Sequence, residues 1–371
     1  MRKKICFIIS NIDKALAFEW TAELLKDHYD LSFILIGKPG SQLALFLQKN
    51  SISVTEFAYS GKRNFVKTFF KTCLYLFKNK PDIVHTHLLD ASLIGLTAAL
   101  VTGVKKRIYT RHHSDYHFVY APQGIKYDKW CNLAATKIVA ISKNVANLLT
   151  EREKVPANKV TLIYHGFNLQ LFEQPDPETV AQLQQRYNPQ NKFPVVGVIA
   201  RQTHFKGIQY IIPAFAKLLQ IYPTALLILA NAHGDFEAEI TRLCSEMLPA
   251  TSICTIKFEN KIESLYQIFT VYVHTPVTAS AEAFGQTYVE ALAAGIPSVF
   301  SLSGIAAEFI VHERNALVVP FCNTEAIFLA IQKLLSDNEL SQHLVAQGRQ
   351  DVHRYFELQT MINKLTSIYN A

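Results

Sequence analysis

At 371 residues the chain is longer than one typical compact core, so two domains are expected. Apolar residues make up 49% and charged residues 18%, which excludes a disordered chain. Six cysteines without a C-x-x-C pair exclude a disulfide framework or zinc ribbon and fit a reducing cytosol, while a net charge of +7 suits an anionic ligand, an anionic lipid surface or a merely solvated exterior.

The basic start 1–4 is followed by an apolar run, Ile5–Ile9, that is too short for a signal peptide and reads as a first strand. In the first half, strands are expected at Lys4–Ser10, Leu31–Ile36, Val54–Phe57, Ile83–His87, Arg107–His112, Lys137–Ile141 and Lys159–Ile163, with helices between them. Residues 61–80 form a helical stretch rich in Phe and Lys. It reads either as a core-facing helix with solvated lysines or as a peripheral membrane contact on an anionic surface. Ala91–Val104 is the longest apolar stretch and falls short of the roughly 20 residues that span a bilayer. A cytoplasmic protein, at most resting on the inner face of the membrane, is therefore expected.

His85 and His87 end one strand, and His112, His113, Asp115 and His117 gather after the next. The spacings match no standard zinc pattern, so no metal is expected. Proline and polar residues over 173–193 mark a linker. Beyond it, strands are expected at Val195–Ala200, Leu226–Ala230, Ile253–Phe258, Val271–His274, Ser298–Phe300 and Ala316–Val319. Such alternation implies α/β architecture with parallel sheets covered by helices on both faces. Two doubly wound Rossmann-like domains, 1–172 and 194–349, would then face across a cleft, with ligands at the carboxyl ends of their strands. The terminal segment 350–371 reads as a helix crossing back to the first domain.

Two second-half segments carry chemistry. Arg201-Gln-Thr-His-Phe-Lys206-Gly207 places two cations between a strand end and a helix start, which suits a diphosphate. Glu282-Ala-Phe284-Gly285-Gln286 opens a nearly apolar helix that carries Glu290 and stops at Gly295 and Pro297. A carboxylate on such a helix calls for a partner such as ribose hydroxyls, and the amides of Phe284, Gly285 and Gln286 suit a sugar or phosphate oxygen. Taken alone, each segment also reads as an ordinary solvated loop or helix entrance.

Together, Arg-x-x-x-x-Lys-Gly and Glu-(seven residues)-Glu-Ala-x-Ala-x-Gly-x-Pro resemble the retaining glycosyltransferase family 4, which has the GT-B fold. Ile138–Ser142 and the stretch from Leu162 through His165-Gly166 and Asn168 to Phe172 resemble further family segments. The resemblance implies that Arg201 and Lys206 hold the donor diphosphate, Glu290 binds the ribose and Glu282 lies beside the transferred sugar. Thr110-x-His112 matches a family motif, which implies His112 near the reacting centre, with His113 in reserve. The donor would be a nucleoside-diphosphate sugar and the acceptor a glycan or lipid-linked molecule, in cell-surface polysaccharide or glycolipid assembly. With no Asp-x-Asp triplet, transfer without a metal or other cofactor is expected. The loop Ser10–Trp20 departs from the family in lacking glycine. Rival readings are a nucleotide-sugar epimerase, a phosphorylase and a non-catalytic carbohydrate-binding subunit. Nucleic acid is not an expected partner, for want of a recognition signature.

Overall fold

The computed structural model describes residues 2–371, which form two compact units. One runs to Phe167 and takes in Leu358–Ala371; the other spans Asn168–Glu357. The thirteen strands lie within two residues of their expected positions, because each is a short β-branched run bounded by turn residues.

In the first unit, β1 (Lys4–Ser10), β2 (Asp30–Gly37), β3 (Ser53–Ala58), β4 (Ile83–His87), β5 (Lys106–Arg111), β6 (Lys137–Ala140) and β7 (Val160–Leu162) form one parallel sheet in the order β3-β2-β1-β4-β5-β6-β7. Alternation along β1 divides the core. Ile5, Phe7 and Ile9 pack with helices Leu16–Leu25, Gln42–Lys49 and Leu358–Asn370 on one face. Cys6 and Ile8 pack with helices Phe65–Asn79 and Leu89–Val101 on the other. The glycine-free first loop turns at Asn11, which adopts φ 54 and donates its amide to the Ile36 carbonyl at 2.8 Å. Asn tolerates this left-handed conformation, so the turn forms without glycine.

The second unit repeats the plan with β8 (Val195–Ile199), β9 (Leu226–Ala230), β10 (Ile253–Ile256), β11 (Val271–His274), β12 (Ser298–Phe300) and β13 (Leu317–Val318), in the order β10-β9-β8-β11-β12-β13. The expected linker 173–193 differs from the structure. It holds a helix, Pro177–Tyr187, that packs within the second unit through buried Leu183. Asp176 caps this helix by accepting from the Thr179 amide at 3.0 Å, with Pro177 at its first position. The chain crosses between units at Phe167–Asn168 and Glu357–Leu358 instead.

Candidate active site

In the second unit the strand order reverses between β8 and β11, and the loops that follow these two strands carry the expected anion site. Gly207 has φ +76, and a Cβ there would lie 1.9 Å from the Thr275 carbonyl oxygen. Only glycine permits this approach. Val277 N–H donates to the Phe205 carbonyl at 3.1 Å and fastens the loops together.

That approach brings Lys206 onto Glu282, with Nζ 2.5 Å from Oε1. His274 Nε2 lies 2.9 Å from the same oxygen, and the Glu282 amide donates to Ser303 Oγ at 3.0 Å. Burial alone would raise the Glu282 carboxyl, but the Lys206 ammonium and the His274 hydrogen bond outweigh it and hold the group at about 2. The carboxylate is thus ionised and buried. Burial also lowers His274, against the pull of Glu282, which keeps the imidazole neutral. A neutral His274 donates Nε2–H to Glu282.

Arg201 stands apart. Its guanidinium is exposed and, among the described residues, makes no hydrogen bond or ion pair. The structure therefore brings Lys206 and Glu282 into contact and leaves Arg201 with its donors uncommitted. Six buried side-chain atoms without partners also collect on these segments, in Gln202, Thr203, Gln209, His274, Thr275 and Thr287. They are all of the second unit's unpartnered buried side-chain atoms among the described residues. Buried polar groups are normally satisfied, so such a concentration marks a functional region.

Helix Gln286–Ala294 starts after Gly285 (φ +88) and ends at Gly295 (φ +75), whose amide and that of Ile296 bond back to Leu292 and Ala291. Among the described residues, the Gly285 and Gln286 amides donate to no partner. Phe284 serves packing: its ring meets Phe356 at 5.8 Å and its carbonyl accepts from Ile305. Glu290, half-buried, accepts from Tyr266 Oη at 2.9 Å. Burial pushes its carboxyl up to about 7, with Glu263 adding to the shift and Tyr266 opposing it. If the carboxylate accepts from ribose, nucleoside affinity should rise by up to about tenfold per pH unit as pH climbs towards that value. Glu290→Gln should flatten that profile in a titration calorimeter; an unchanged profile would remove Glu290 from the site.

The first unit gathers its histidines within β4 and just beyond the end of β5. His85 Nδ1 meets Tyr369 Oη and its Nε2 meets Thr110 Oγ1, both at 2.7 Å. His87 Nδ1 lies 2.9 Å from His112 Nε2, and His165 stacks on His112 at 5.5 Å. With Nε2 engaged, Nδ1 is the His112 nitrogen without a hydrogen-bond partner among the described residues. His113 is tied elsewhere: it and His117 bond to Asp128 at 3.1 and 2.5 Å. Arg111 takes both Asp128 oxygens, at 2.8 and 2.9 Å, and Glu153 at 2.8 Å. His113, His117 and Asp128 have the makings of a metal site. A cation there would sit against the Arg111 guanidinium, so the cluster reads as an ion-pair clamp on the loop after β5. Asp115, weighed as a ligand from the sequence, is not in it.

His274 and Tyr266 were missed in the sequence, and His87 and His165 were named there without a role in the site. His274 ends β11, so the rule that ligands meet strand ends already pointed to it. Tyr266 and His165 carry no such signal.

Residues 180–351 match the family Glycosyl transferases group 1, and residues 16–171 match Glycosyltransferase Family 4. The capsular polysaccharide biosynthesis glycosyltransferase CapM of Staphylococcus aureus is 27% identical over 82% of this chain and 81% of its own. The alpha-monoglucosyldiacylglycerol synthase of Acholeplasma laidlawii is 27% identical over 65% of this chain and 63% of its own. Among solved structures, Anabaena HepE in complex with UDP and glucose superposes with a TM-score of 0.87 at 19% identity, covering all of both chains.

Proposed function

The chain belongs to glycosyltransferase family 4 with the GT-B fold, and on that premise we propose that it moves a sugar from a nucleoside-diphosphate sugar to a glycan or lipid-linked acceptor with retention of configuration. The observation that carries this reading is the loop 201–207. It offers one uncommitted guanidinium and one ammonium held in place by a buried carboxylate.

As the sugar leaves, negative charge grows on the departing diphosphate. Fixed cations at that oxygen cluster stabilise the transition state more than the ground state, which supports metal-independent transfer. Arg201 would engage two oxygens with its planar fork, and Lys206 would act as a point charge. Glu282 is a positioning residue in this scheme, because its oxygen fixes both Lys206 and His274. Glu290 would accept from the ribose, and the Gly285 and Gln286 amides would meet the sugar or phosphate at a helix start. His112, oriented by His87, would offer Nδ1 to a sugar hydroxyl or to the acceptor.

Relatives named for capsule, glycolipid and lipopolysaccharide core synthesis support a setting in cell-surface assembly, in the cytoplasm at the inner membrane face. No described helix is long and apolar enough to cross a membrane. A peripheral contact through 61–80 would bring a lipid-linked acceptor within reach.

A panel of UDP- and GDP-sugars, tested with and without glycan and lipid-linked acceptors, checks the reaction. Product formation should require an acceptor, and proton NMR should show the donor's anomeric configuration kept. Inversion would refute the retaining reading. Interconversion of the donor without acceptor would mean an epimerase instead.

A further inference from the structure

Helix Phe65–Asn79 is built inside out. Towards the core it buries Thr68, Thr72 and Leu76. The Thr72 hydroxyl donates to the Thr68 carbonyl at 2.8 Å, which satisfies it inside the core. Towards solvent it presents Val66, Phe70, Leu74 and Phe77, which are 64–69% exposed. Their spacing of four, four and three residues puts them on one stripe about 17 Å long. An isolated exposed apolar residue means little, whereas a continuous stripe marks a binding surface.

The charges beside the stripe point to one occupant. Residues 61–80 carry Lys62, Arg63, Lys67, Lys71, Lys78 and Lys80 and no acidic residue. All six are exposed and none is in an ion pair among the described residues. Lys71 also lies over the Phe57 ring at 5.5 Å. Lys67, Lys71 and Lys78 directly follow Val66, Phe70 and Phe77, so cations run along one flank of the apolar row. A second copy laid on this face would bring the same positive charges against each other. A bilayer surface containing anionic lipid satisfies both parts, taking the aromatic row at the level of the acyl boundary and the ammonium groups at the phosphates.

We infer that helix Phe65–Asn79 docks the protein on anionic membranes, with Val66, Phe70, Leu74 and Phe77 inserted and the flanking lysines on the head groups. This deepens the peripheral contact proposed above, yet its test does not pass through catalysis. The full chain is sedimented with vesicles of phosphatidylcholine alone and of phosphatidylcholine with phosphatidylglycerol, at low and high salt. Wild-type protein should sediment with the anionic vesicles only, and less so at high salt. The Phe70→Ser/Leu74→Ser/Phe77→Ser variant should lose at least about tenfold in partitioning. Lys67→Glu/Lys71→Glu/Lys78→Glu should lose comparably. Both should keep the wild-type melting temperature, since the altered side chains face solvent. Arg201→Ala should bind vesicles like wild type, so loss of donor binding and loss of membrane binding remain separate results. Undiminished sedimentation of the serine variant, or none by wild type, would overturn the inference. So would a concentration-dependent dimer that the serine variant abolishes, because the stripe would then be a subunit contact.

Discussion

Lys206→Met is expected to cost about 3–5 kcal/mol of stability, the penalty for stranding one partner of a buried ion pair. The Lys206 and Glu282 side chains are only 15% and 9% exposed, and removing the ammonium takes away the carboxylate's ion pair while the His274 hydrogen bond stays. Turnover should fall by about 10²–10³-fold, because a fixed cation at the leaving diphosphate is lost as well. The two effects separate in the double variant Lys206→Met/Glu282→Gln. Replacing both charges leaves no buried ion, so denaturant unfolding should return towards wild type while turnover stays low. If turnover recovers along with stability, Lys206 is only a structural partner of Glu282. If neither recovers, the pair is not the source of the lost stability.

Mild acid should destabilise the first unit at a pH where carboxylates of ordinary pKa are still ionised. Burial lowers His85 to about 3 and His165 to about 4. Burial also pushes His87 and His112 well below the usual histidine range, with His85 and His165 adding to the shift of His87 and His87, His165 and His113 to that of His112. The Tyr369 and Thr110 hydroxyls that meet His85 are neutral, and burial is the largest cause of the shift in all four histidines. Each pKa is depressed on folding, so each histidine's contribution is complete above the unfolded value near 6.5 and drains away as pH falls towards the folded one. Between pH 7.5 and 5 the loss is about 2 kcal/mol each for His85 and His165, and His87 and His112 act in the same direction. Both tryptophans, Trp20 and Trp130, lie in the first unit, so their fluorescence during urea unfolding reports on it alone. The unfolding free energy should fall by up to about 1.4 kcal/mol per pH unit for each histidine involved, and His165→Asn should reduce that slope by one proton. Flat stability from pH 7.5 to 5 would mean that the cluster is already protonated in the folded protein.

Sheet architecture was legible because each strand is a brief apolar run closed by polar or turn residues, as in Val195–Ile199 and Leu226–Ala230. The segment 173–193 misled because proline and glutamine resemble a linker, whereas Pro177 opens a helix that buries Leu183 in the second unit. The inverted helix Phe65–Asn79 was hidden too: its phenylalanines occupy several sides, and only packing against Leu89–Val101 decides which side is the core. Motif spacing located Arg201, Lys206, Glu282 and Glu290 in the chain but not their partners. Lys206 and Glu282 are 76 residues apart, and Tyr266 is 24 from Glu290. Such pairings depend on how β8 and β11 lie side by side, which local pattern does not encode.

Calorimetric titration of Arg201→Ala with UDP and GDP tests the central claim most directly. The guanidinium makes no hydrogen bond or ion pair with another described residue, so folding should be untouched and any loss belongs to the ligand. Affinity for the preferred diphosphate should drop about 10- to 100-fold, the worth of one or two charge-assisted hydrogen bonds, while affinity for the unphosphorylated nucleoside stays as in wild type. Wild-type affinity for both diphosphates in the variant would contradict a diphosphate site in loop 201–207.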